Sequence, residues 1–377
     1  MIIKNIKRTI QNQIEDKLFK GKIIVIYGAR QVGKTTLVKE IQKKYPDSSY
    51  LNCDEIDIRT ALTDKTSTEI KNFVGNRKLI ILDEAQRVKN IGLTLKLMVD
   101  NFPDTQIIAT GYSSFDLSNQ INEPLTGRKY TFYLYPFSIN ELKSIYSDLE
   151  LDRILEKFLI FGTYPEIITK ENDVIENLKN LTTSYLYKDI LQFQNLKNPE
   201  VLERLLQALA LQIGNEVSYN ELSSIVGVDK NTVANYIQIL EKSFVIFRLR
   251  PFSKNIRNEL KKLRKIYFYD TGIRNALINN FNPLDLRNDF GFLWENFIIS
   301  ERMKFNHYYN NNVNSYFWRT LEKQEIDYVE DQNGVLSGFE FKFNKDKFKK
   351  PKIFLETYKD SSLELINKDN YKSFLKE

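Results

Sequence analysis

Short apolar runs separated by amphipathic stretches dominate the first 140 residues. The run Lys22–Tyr27 leads into a glycine-bearing turn and then into a predicted helix, Thr35–Lys44. Further runs typical of buried strands lie at Ser49–Leu51, Lys78–Leu82, Thr105–Thr110 and Tyr130–Leu134. Strands of this kind, alternating with helices, indicate a parallel sheet covered on both faces. The pattern therefore predicts one α/β domain over residues 1–140.

Helical periodicity marks the N-terminus and the region after this domain. On residues 1–20 one face is apolar, with Ile3, Ile6, Ile10, Ile14 and Leu18. This spacing predicts an amphipathic helix. Residues 141–200 are mostly helical in pattern, and we interpret them as a helical lid or connector.

Residues 201–275 follow a different order. An apolar helix is predicted over Val201–Ile213, and Ser218 with Glu221 has the spacing of a capping box that starts a short helix. Asp229 is placed to cap the next helix, Lys230–Lys242. Two strand-like runs follow, at Phe244–Leu249 and Ile266–Tyr269. Helix, short turn, helix and β-hairpin are typical of a winged helix-turn-helix.

The last segment, residues 276–377, mixes both periodicities. A helix is predicted at Phe292–Lys304, before strands at Tyr316–Trp318, Glu325–Glu330 and Gly338–Phe343. This order predicts a small α+β domain.

Composition narrows the class of protein. Apolar residues make up 42% of the 377-residue chain, which is too much for a disordered chain. Its single cysteine, Cys53, and single histidine, His307, argue against a zinc site. The net charge of +6 permits nucleic-acid binding without arguing strongly for it. Because charges interrupt the N-terminus and no apolar run reaches about 18 residues, we expect a cytoplasmic protein without a membrane span.

A phosphate-binding pattern lies between the first predicted strand and its helix. Gly28, Ala29, Arg30, Gln31, Val32, Gly33, Lys34 and Thr35 fit G-x-x-x-x-G-K-[ST], and Thr36 follows. The glycines let backbone N–H groups approach phosphates, and the helix N-terminus adds its positive dipole end. We expect Lys34 to reach the β- and γ-phosphates of ATP and the Thr35 hydroxyl to hold Mg²⁺.

Two acids follow the buried strand Lys78–Leu82. Ligands of open parallel sheets bind at the carboxyl edge of the strands, so Asp83 and Glu84 are expected beside the phosphates. Asp83 is the candidate magnesium ligand, and Glu84 is the candidate group that orients and activates water.

Three more residues are candidates for sensing the γ-phosphate. Thr110 ends a neighbouring strand of the sheet and Ser113 follows it, and either a sensor or a structural role fits both positions. Arg128 precedes the last strand of the domain. It is a candidate arginine finger, in its own chain or a neighbouring one, or else a surface arginine.

With these motifs the chain resembles the bacterial and archaeal AAA-type P-loop ATPases that carry a C-terminal domain of uncharacterised function. The shared motifs are GARQVGKTT at 28–36, LDEAQ at 82–86, LTGR at 125–128, YPFS at 135–138, GTYPE at 162–166, YKDI at 187–190, YDTG at 269–272, WEN at 294–296, EID at 325–327 and EFK at 340–342. The resemblance implies an ATPase core, a winged helix and a restriction-endonuclease-like terminal domain. Tyr112 departs from it, because the family usually has a small residue there.

The predicted winged helix carries basic and polar residues suited to duplex DNA. The candidates for contacts to phosphates and base edges are Lys230, Asn231, Asn235, Arg248, Arg250, Lys254 and Arg257. Alternatively, the winged helix packs within the chain as a switch and these side chains are merely solvated.

The terminal domain carries an acid–acid-x-lysine pattern. Asp327 and Glu340 are placed to share a divalent metal, with Lys342 on the same strand face as Glu340 and Glu295 on the preceding helix. A restriction-endonuclease-like fold without cleavage is the alternative.

The sequence therefore favours Mg-ATP binding and hydrolysis that drives a conformational switch coupled to DNA binding. One alternative is an ATP-gated, metal-dependent nuclease. The other is a nucleotide-dependent assembly module whose winged helix binds protein, with further copies of the chain or another protein as the partner.

Overall fold

The computed structural model of the chain describes residues 6–376 except 113–120, 122, 171, 187–198, 253–263 and 321. These residues form two compact units. The first contains the described part of Ile3–Phe137 together with Lys242–Phe244, and the second contains the described parts of Ser138–Glu241 and Val245–Glu377.

The first unit contains a parallel sheet. Its strands are β1 Ile23–Tyr27, β2 Ser48–Asn52, β3 Leu79–Asp83, β4 Gln106–Gly111 and β5 Lys129–Tyr133. Its helices are α1 Ile10–Glu15, α2 Lys34–Gln42, α3 Ile56–Leu62, α4 Ser67–Val74 and α5 Ile91–Asn101. The described strands have the order β2-β3-β4-β1-β5, and every pairing is parallel. The expected parallel α/β sheet is thereby confirmed.

Burial explains why these strands form the centre of the unit. Every residue of β1, β3 and β4 is buried, as expected for mostly apolar strands at the centre of a parallel sheet.

The helix predicted over residues 1–20 is shorter in the structure, where α1 ends at Glu15. Phe19 adopts a left-handed conformation with φ 58°, and its backbone N–H donates to Gln106 Oε1 at 2.6 Å. That conformation cannot continue a helix.

The second unit begins with helices. They are α6 Ile139–Leu142, α7 Asp148–Phe161, α8 Pro165–Thr169, α9 Val174–Asn180, α10 Pro199–Leu211, α11 Tyr219–Val226, α12 Lys230–Lys242, α13 Thr271–Leu277, α14 Phe290–Tyr308, α15 Lys352–Thr357 and α16 Tyr371–Phe374. A π-helical stretch covers Leu181–Leu186. Its strands are β6 Glu216–Val217, β7 Ile246–Pro251, β8 Arg264–Phe268, β9 Asn314–Arg319, β10 Glu325–Gln332, β11 Val335–Phe341 and β12 Ser362–Ile366.

The described strands of this unit join in a single sheet with the order β12-β11-β10-β9-β7-β8-β6. The link is a parallel pairing of β7 with β9, in which Arg250 lies opposite Tyr316 and Pro251 opposite Phe317. The hairpin predicted for a winged helix and the strands predicted for a terminal domain are therefore hydrogen-bonded to each other. The boundary predicted between residues 275 and 276 falls within α13, which lies in sequence between two strands of this sheet, β8 and β9.

Helix caps in this unit agree with the sequence in one case and differ in another. Asp229 Oδ1 accepts from the backbone N–H groups of Asn231 and Thr232, at 2.9 and 3.1 Å, and so caps α12. The predicted capping box at Ser218 is wrong, because its side chain makes no capping hydrogen bond. Glu221 instead accepts from Gln212 Nε2 at 3.1 Å.

Within the part of the chain that the structure describes, no helix combines the length and apolar character needed to cross a membrane.

Candidate nucleotide site

The loop between β1 and α2 is shaped by two glycines. A Cβ on Gly28 would lie 2.2 Å from the carbonyl oxygen of Leu134, so only glycine fits where the loop leaves β1. Gly33 has φ 96° and stands at the N-cap of α2, a conformation that other residues adopt only with strain. The loop thus turns sharply and points the first N–H groups of α2 toward the carboxyl edge of the sheet.

Lys34 lies inside this loop. Its side chain is buried, and Nζ donates to the carbonyl oxygens of Gly28 and Ala29, both at 2.9 Å. Val32 and Ala29 are also buried, while Thr36 is exposed. Gln31 has φ 60°. The ammonium group is therefore held against the start of the loop by two backbone oxygens.

Asp83 connects the loop to the end of β3. Its Oδ2 accepts from Thr35 Oγ1 and from Tyr50 Oη, both at 2.6 Å. Its Oδ1 accepts from the hydroxyl of Thr110. Burial and this hydrogen bond to Asp83 raise the pKa of Tyr50. Burial with the nearby Asp83 charge raises the pKa of the buried Cys53 thiol to about 12, so that thiol stays protonated.

Glu84 follows Asp83 in a left-handed conformation with φ 54°. Its backbone N–H donates to Thr110 Oγ1 at 3.1 Å, and its Oε2 accepts from Gln86 Nε2 at 2.6 Å. Thr110 thus bridges the two acids from the neighbouring strand. The sensor role of Thr110 stays a prediction.

The oxygens of Thr35 and Asp83 fit a magnesium ion. Mg²⁺ is usually bound by one or two protein oxygens, with phosphates and waters completing its shell. Here a hydroxyl and a carboxylate from different elements lie 2.6 Å apart, so both can serve as ligands without rearranging the fold. When bound, the ion would neutralise phosphate charge.

Two residues that no sequence motif marks stabilise this site, Arg8 at the loop and Tyr50 at Asp83. Arg8 is buried, and its guanidinium donates to the carbonyl oxygens of Val32, at 2.6 Å, and Tyr135. Tyr50 reaches Asp83 from β2. Each is separated from its partner by more than 20 positions, so no local motif marks it. The only signal for Arg8 is a charge between apolar positions of the N-terminal segment.

Arg128 lies away from this edge. It directly precedes β5, and its carbonyl oxygen accepts from Ile23 N at the start of β1. The loop leaves the other end of β1, on the order of 13 Å away at the rise of an extended strand. Arg128 Nε pairs instead with Asp100 Oδ1 at 2.8 Å. The suggestion that Arg128 touches phosphate in its own chain is therefore wrong, and Ser113 lies outside the described residues.

The acids predicted for a metal-dependent nuclease are interleaved with lysines. Lys342 Nζ lies 2.8 Å from Glu340 Oε1 and 3.8 Å from Asp327 Oδ2. Lys265, buried on β8, pairs with Glu295 Oε1 at 3.1 Å and Glu325 Oε1 at 2.6 Å. Among the described residues no group of three or more His, Cys, Asp or Glu side chains could hold a metal ion. Asp327 and Glu340 both lie beside Lys342, and their shared metal stays a prediction.

Burial and charge set the pKa values in this cluster. Burial, together with the Asp327 charge and against the effect of Lys265, raises the pKa of Glu295 to about 7. Burial alone would lower the pKa of Lys265, but Glu295, Asp327 and Glu325 outweigh it and raise that pKa. Glu295 therefore takes up a proton near neutral pH, whereas Lys265 stays charged.

The residues predicted to contact DNA differ in their exposure and in their contacts. On α12, Lys230, Asn231 and Asn235 are exposed. Arg248 is engaged within the unit, because it pairs with Glu241 and donates to Tyr219 Oη at 3.0 Å. Arg250 is exposed on β7, and Lys254 and Arg257 lie outside the described residues.

Three family models match segments of the chain. Residues 20–143 match a family model described as an AAA domain. Residues 152–284 and 290–372 match two domains of unknown function, DUF8612 and DUF4143. The AAA match supports an AAA-type P-loop ATPase, with nucleotide binding and hydrolysis as its class of function.

The full-length relatives are uncharacterized. The chain is 27% identical to a protein of Methanocaldococcus jannaschii, over 96% of this chain and 84% of the relative. It is 26% identical to a protein of Mycobacterium tuberculosis, over 89% of this chain and 74% of the relative. A signal transduction ATPase with a tetratricopeptide repeat sensor from Pyrococcus horikoshii overlaps 81% of this chain and 46% of its own, less than half its length, at 12% identity and a TM-score of 0.29. A TM-score of 0.29 is too low to support a fold or a function.

Proposed function

We propose that the chain binds Mg-ATP at the loop of residues 28–36 and hydrolyses it with Glu84 as the general base. The observation that carries this proposal is the contact of Thr35 with Asp83, which brings a loop hydroxyl and a strand-end carboxylate to 2.6 Å. These two groups would hold the magnesium ion.

Each step has a residue in position. The N–H groups at the start of α2 and the Lys34 ammonium bind the phosphates. The Glu84 carboxylate accepts a proton from water, whose oxygen bonds to the terminal phosphorus as the bond to the leaving oxygen of ADP breaks. Gln86 and Thr110 fix the carboxylate and the backbone of Glu84, so that the base is oriented before substrate arrives.

Two substitutions separate binding from hydrolysis. We expect Lys34→Ala to lose nucleotide binding, and Glu84→Gln to bind ATP while losing turnover. Equilibrium binding of a fluorescent ATP analogue and phosphate release measure the two properties on the same protein. Wild-type turnover in either variant would contradict the assignments.

We further propose that hydrolysis drives a conformational switch coupled to duplex DNA at α12. The exposed Lys230, Asn231 and Asn235 on that helix support this, because such side chains reach phosphates and base edges. ATP hydrolysis with and without duplex DNA tests the coupling. DNA should raise the rate, and Lys230→Glu should remove the increase, whereas Lys352→Glu, the same change at an exposed residue elsewhere in the unit, should keep it.

If DNA leaves the wild-type rate unchanged, an assembly module with a protein partner replaces the DNA proposal. For the nuclease alternative, Asp327, Glu340 and Lys342 of the predicted pattern lie together, with Lys342 Nζ 2.8 Å from Glu340 Oε1. Metal-dependent DNA cleavage that disappears in Asp327→Ala and Lys342→Ala would support it.

A further inference from the structure

Arg30 is the third residue of the phosphate loop, directly after Gly28 and Ala29. The Lys34 ammonium lies against the carbonyl oxygens of Gly28 and Ala29, both at 2.9 Å, and Arg30 is the next residue. In P-loop ATPases this lysine reaches the β- and γ-phosphates. Arg30 therefore directly follows the two residues whose carbonyl oxygens hold the Lys34 ammonium.

A tyrosine fixes the guanidinium of Arg30. The Cζ atom of Arg30 lies 5.0 Å from the ring centroid of Tyr112, within the range of a cation–π contact. Tyr112 is buried and directly follows Gly111 at the end of β4, which lies opposite Tyr27 at the end of β1. The same strand end carries Thr110, which contacts Asp83 and Glu84. The ring thus holds Arg30 at the edge between the loop and the two acids.

Two other arginines of this unit lie outside the loop. Arg87 also lies over Tyr112, at 5.8 Å from its ring centroid, but it follows β3. Arg128 precedes β5 and lies at the opposite edge of the sheet. Arg30 is the arginine that belongs to the loop itself.

We propose that Arg30 contacts the terminal phosphate of ATP within its own chain and that Tyr112 is the positioning residue for its guanidinium. This rests on the proposed ATPase function. Because ADP lacks the terminal phosphate, the contact would make the site prefer ATP over ADP. It would also make Tyr112, which departs from the family pattern, part of the site.

The test is the ratio of ADP to ATP dissociation constants, measured by displacement of a fluorescent ADP analogue in Glu84→Gln protein so that ATP is not consumed. Arg30→Gln should weaken ATP binding about tenfold or more, the loss expected for a hydrogen bond between charged groups, and leave ADP binding unchanged. Arg77→Gln is the matched control. Arg77 is exposed before β3 and pairs with Asp47 at 3.4 Å, so both affinities should stay as in the parent.

Tyr112 is tested by a conservative pair. Tyr112→Phe keeps the ring face and should keep the preference for ATP, whereas Tyr112→Ala should lower it with ADP binding unchanged. A merely structural tyrosine would change both affinities together, or neither. If Arg30→Gln does not fold, the comparison of Tyr112→Phe with Tyr112→Ala tests the same contact.

The outcomes separate this inference from the proposed function. Parent protein that binds neither nucleotide overturns the ATPase proposal and this inference with it. Parent protein that prefers ATP, with the same ratio in Arg30→Gln or in Tyr112→Ala, overturns the role of Arg30 or of Tyr112 and leaves the ATPase proposal standing.

Discussion

One hydroxyl group links both acids of the candidate nucleotide site. Thr110 is fully buried, donates to Asp83 and accepts from the backbone of Glu84 at 3.1 Å. Thr110→Val keeps the shape of the side chain but leaves a buried carboxylate oxygen and a buried N–H without this partner. We expect a loss of about 1–3 kcal/mol in the free energy of unfolding, measured by urea denaturation, and lower ATP turnover.

The same substitution at the other end of the strand is the control. The Thr105 hydroxyl precedes β4 and donates to the Arg77 carbonyl at 2.9 Å in an exposed setting. Thr105→Val should leave turnover unchanged and stability nearly so. Equal effects of the two substitutions would show that the bridge at Thr110 has no special role.

Residues of the site were predictable from the sequence only where they lie close together in it. Lys34 and Thr35 follow from the spacing of the loop, and Asp83 and Glu84 from their position after an apolar strand. Tyr50 and Arg8 were missed because the fold alone brings them to Asp83 and Val32. Arg128 was misplaced although it precedes the last strand, since a residue before a parallel strand lies at the edge opposite to the ligand.

At the scale of elements, β8, β10 and α14 meet at a buried ionic cluster. Lys265 on β8 pairs with Glu295 on α14 and Glu325 on β10. Removing one partner of a buried pair leaves an uncompensated charge, at a cost of about 3–5 kcal/mol. We expect Lys265→Met to destabilise the chain by this amount in urea denaturation. Adding Glu295→Gln should restore part of the loss, and no restoration would mean that the two side chains do not interact.

The same cluster predicts a pH dependence. The pKa of Glu295 rises from 4.5 to about 7 on folding, so the folded state binds the proton more tightly than the unfolded state. This contribution to stability is complete below the lower value and is lost as the pH rises through the upper one. Between about pH 5 and about pH 8 the wild type should lose up to about 3 kcal/mol more than Glu295→Gln.

The control for this prediction removes a carboxylate from an exposed position of the same unit. Glu364 is exposed on β12, so Glu364→Gln should retain the wild-type pH dependence. Urea denaturation of the three proteins at both pH values provides the comparison, and parallel curves for wild type and Glu295→Gln would refute it.

The elements themselves were largely readable from the sequence. The strands β1, β3 and β4 are mostly apolar, and the structure buries every residue of them. The order of the strands and the pairing of β7 with β9 could not be predicted, because both depend on contacts between distant segments. The capping box at Ser218 failed for a similar reason, since Glu221 accepts from Gln212 on the preceding turn.

At the scale of the whole molecule, the position of Arg128 is consistent with two of the roles predicted for it, an arginine that acts on a neighbouring chain or a surface arginine. In dilute protein Arg128→Gln should therefore bind ATP as the wild type does. A role in a neighbour would appear as lower turnover per chain only at concentrations where chains associate. Turnover measured across a dilution series, alongside the sedimentation of the same samples, decides this. Weaker ATP binding in dilute Arg128→Gln protein would contradict the placement.

The pairing of β7 with β9 also determines how this protein can be divided. A fragment that begins at residue 276 would expose the edge of β9 that now bonds to Arg250 and Pro251, and an open strand edge invites pairing with other chains. The hairpin of β7 and β8 and the strands from β9 onward are therefore not independent modules. Exchange of this part between related proteins would have to move both segments as one block.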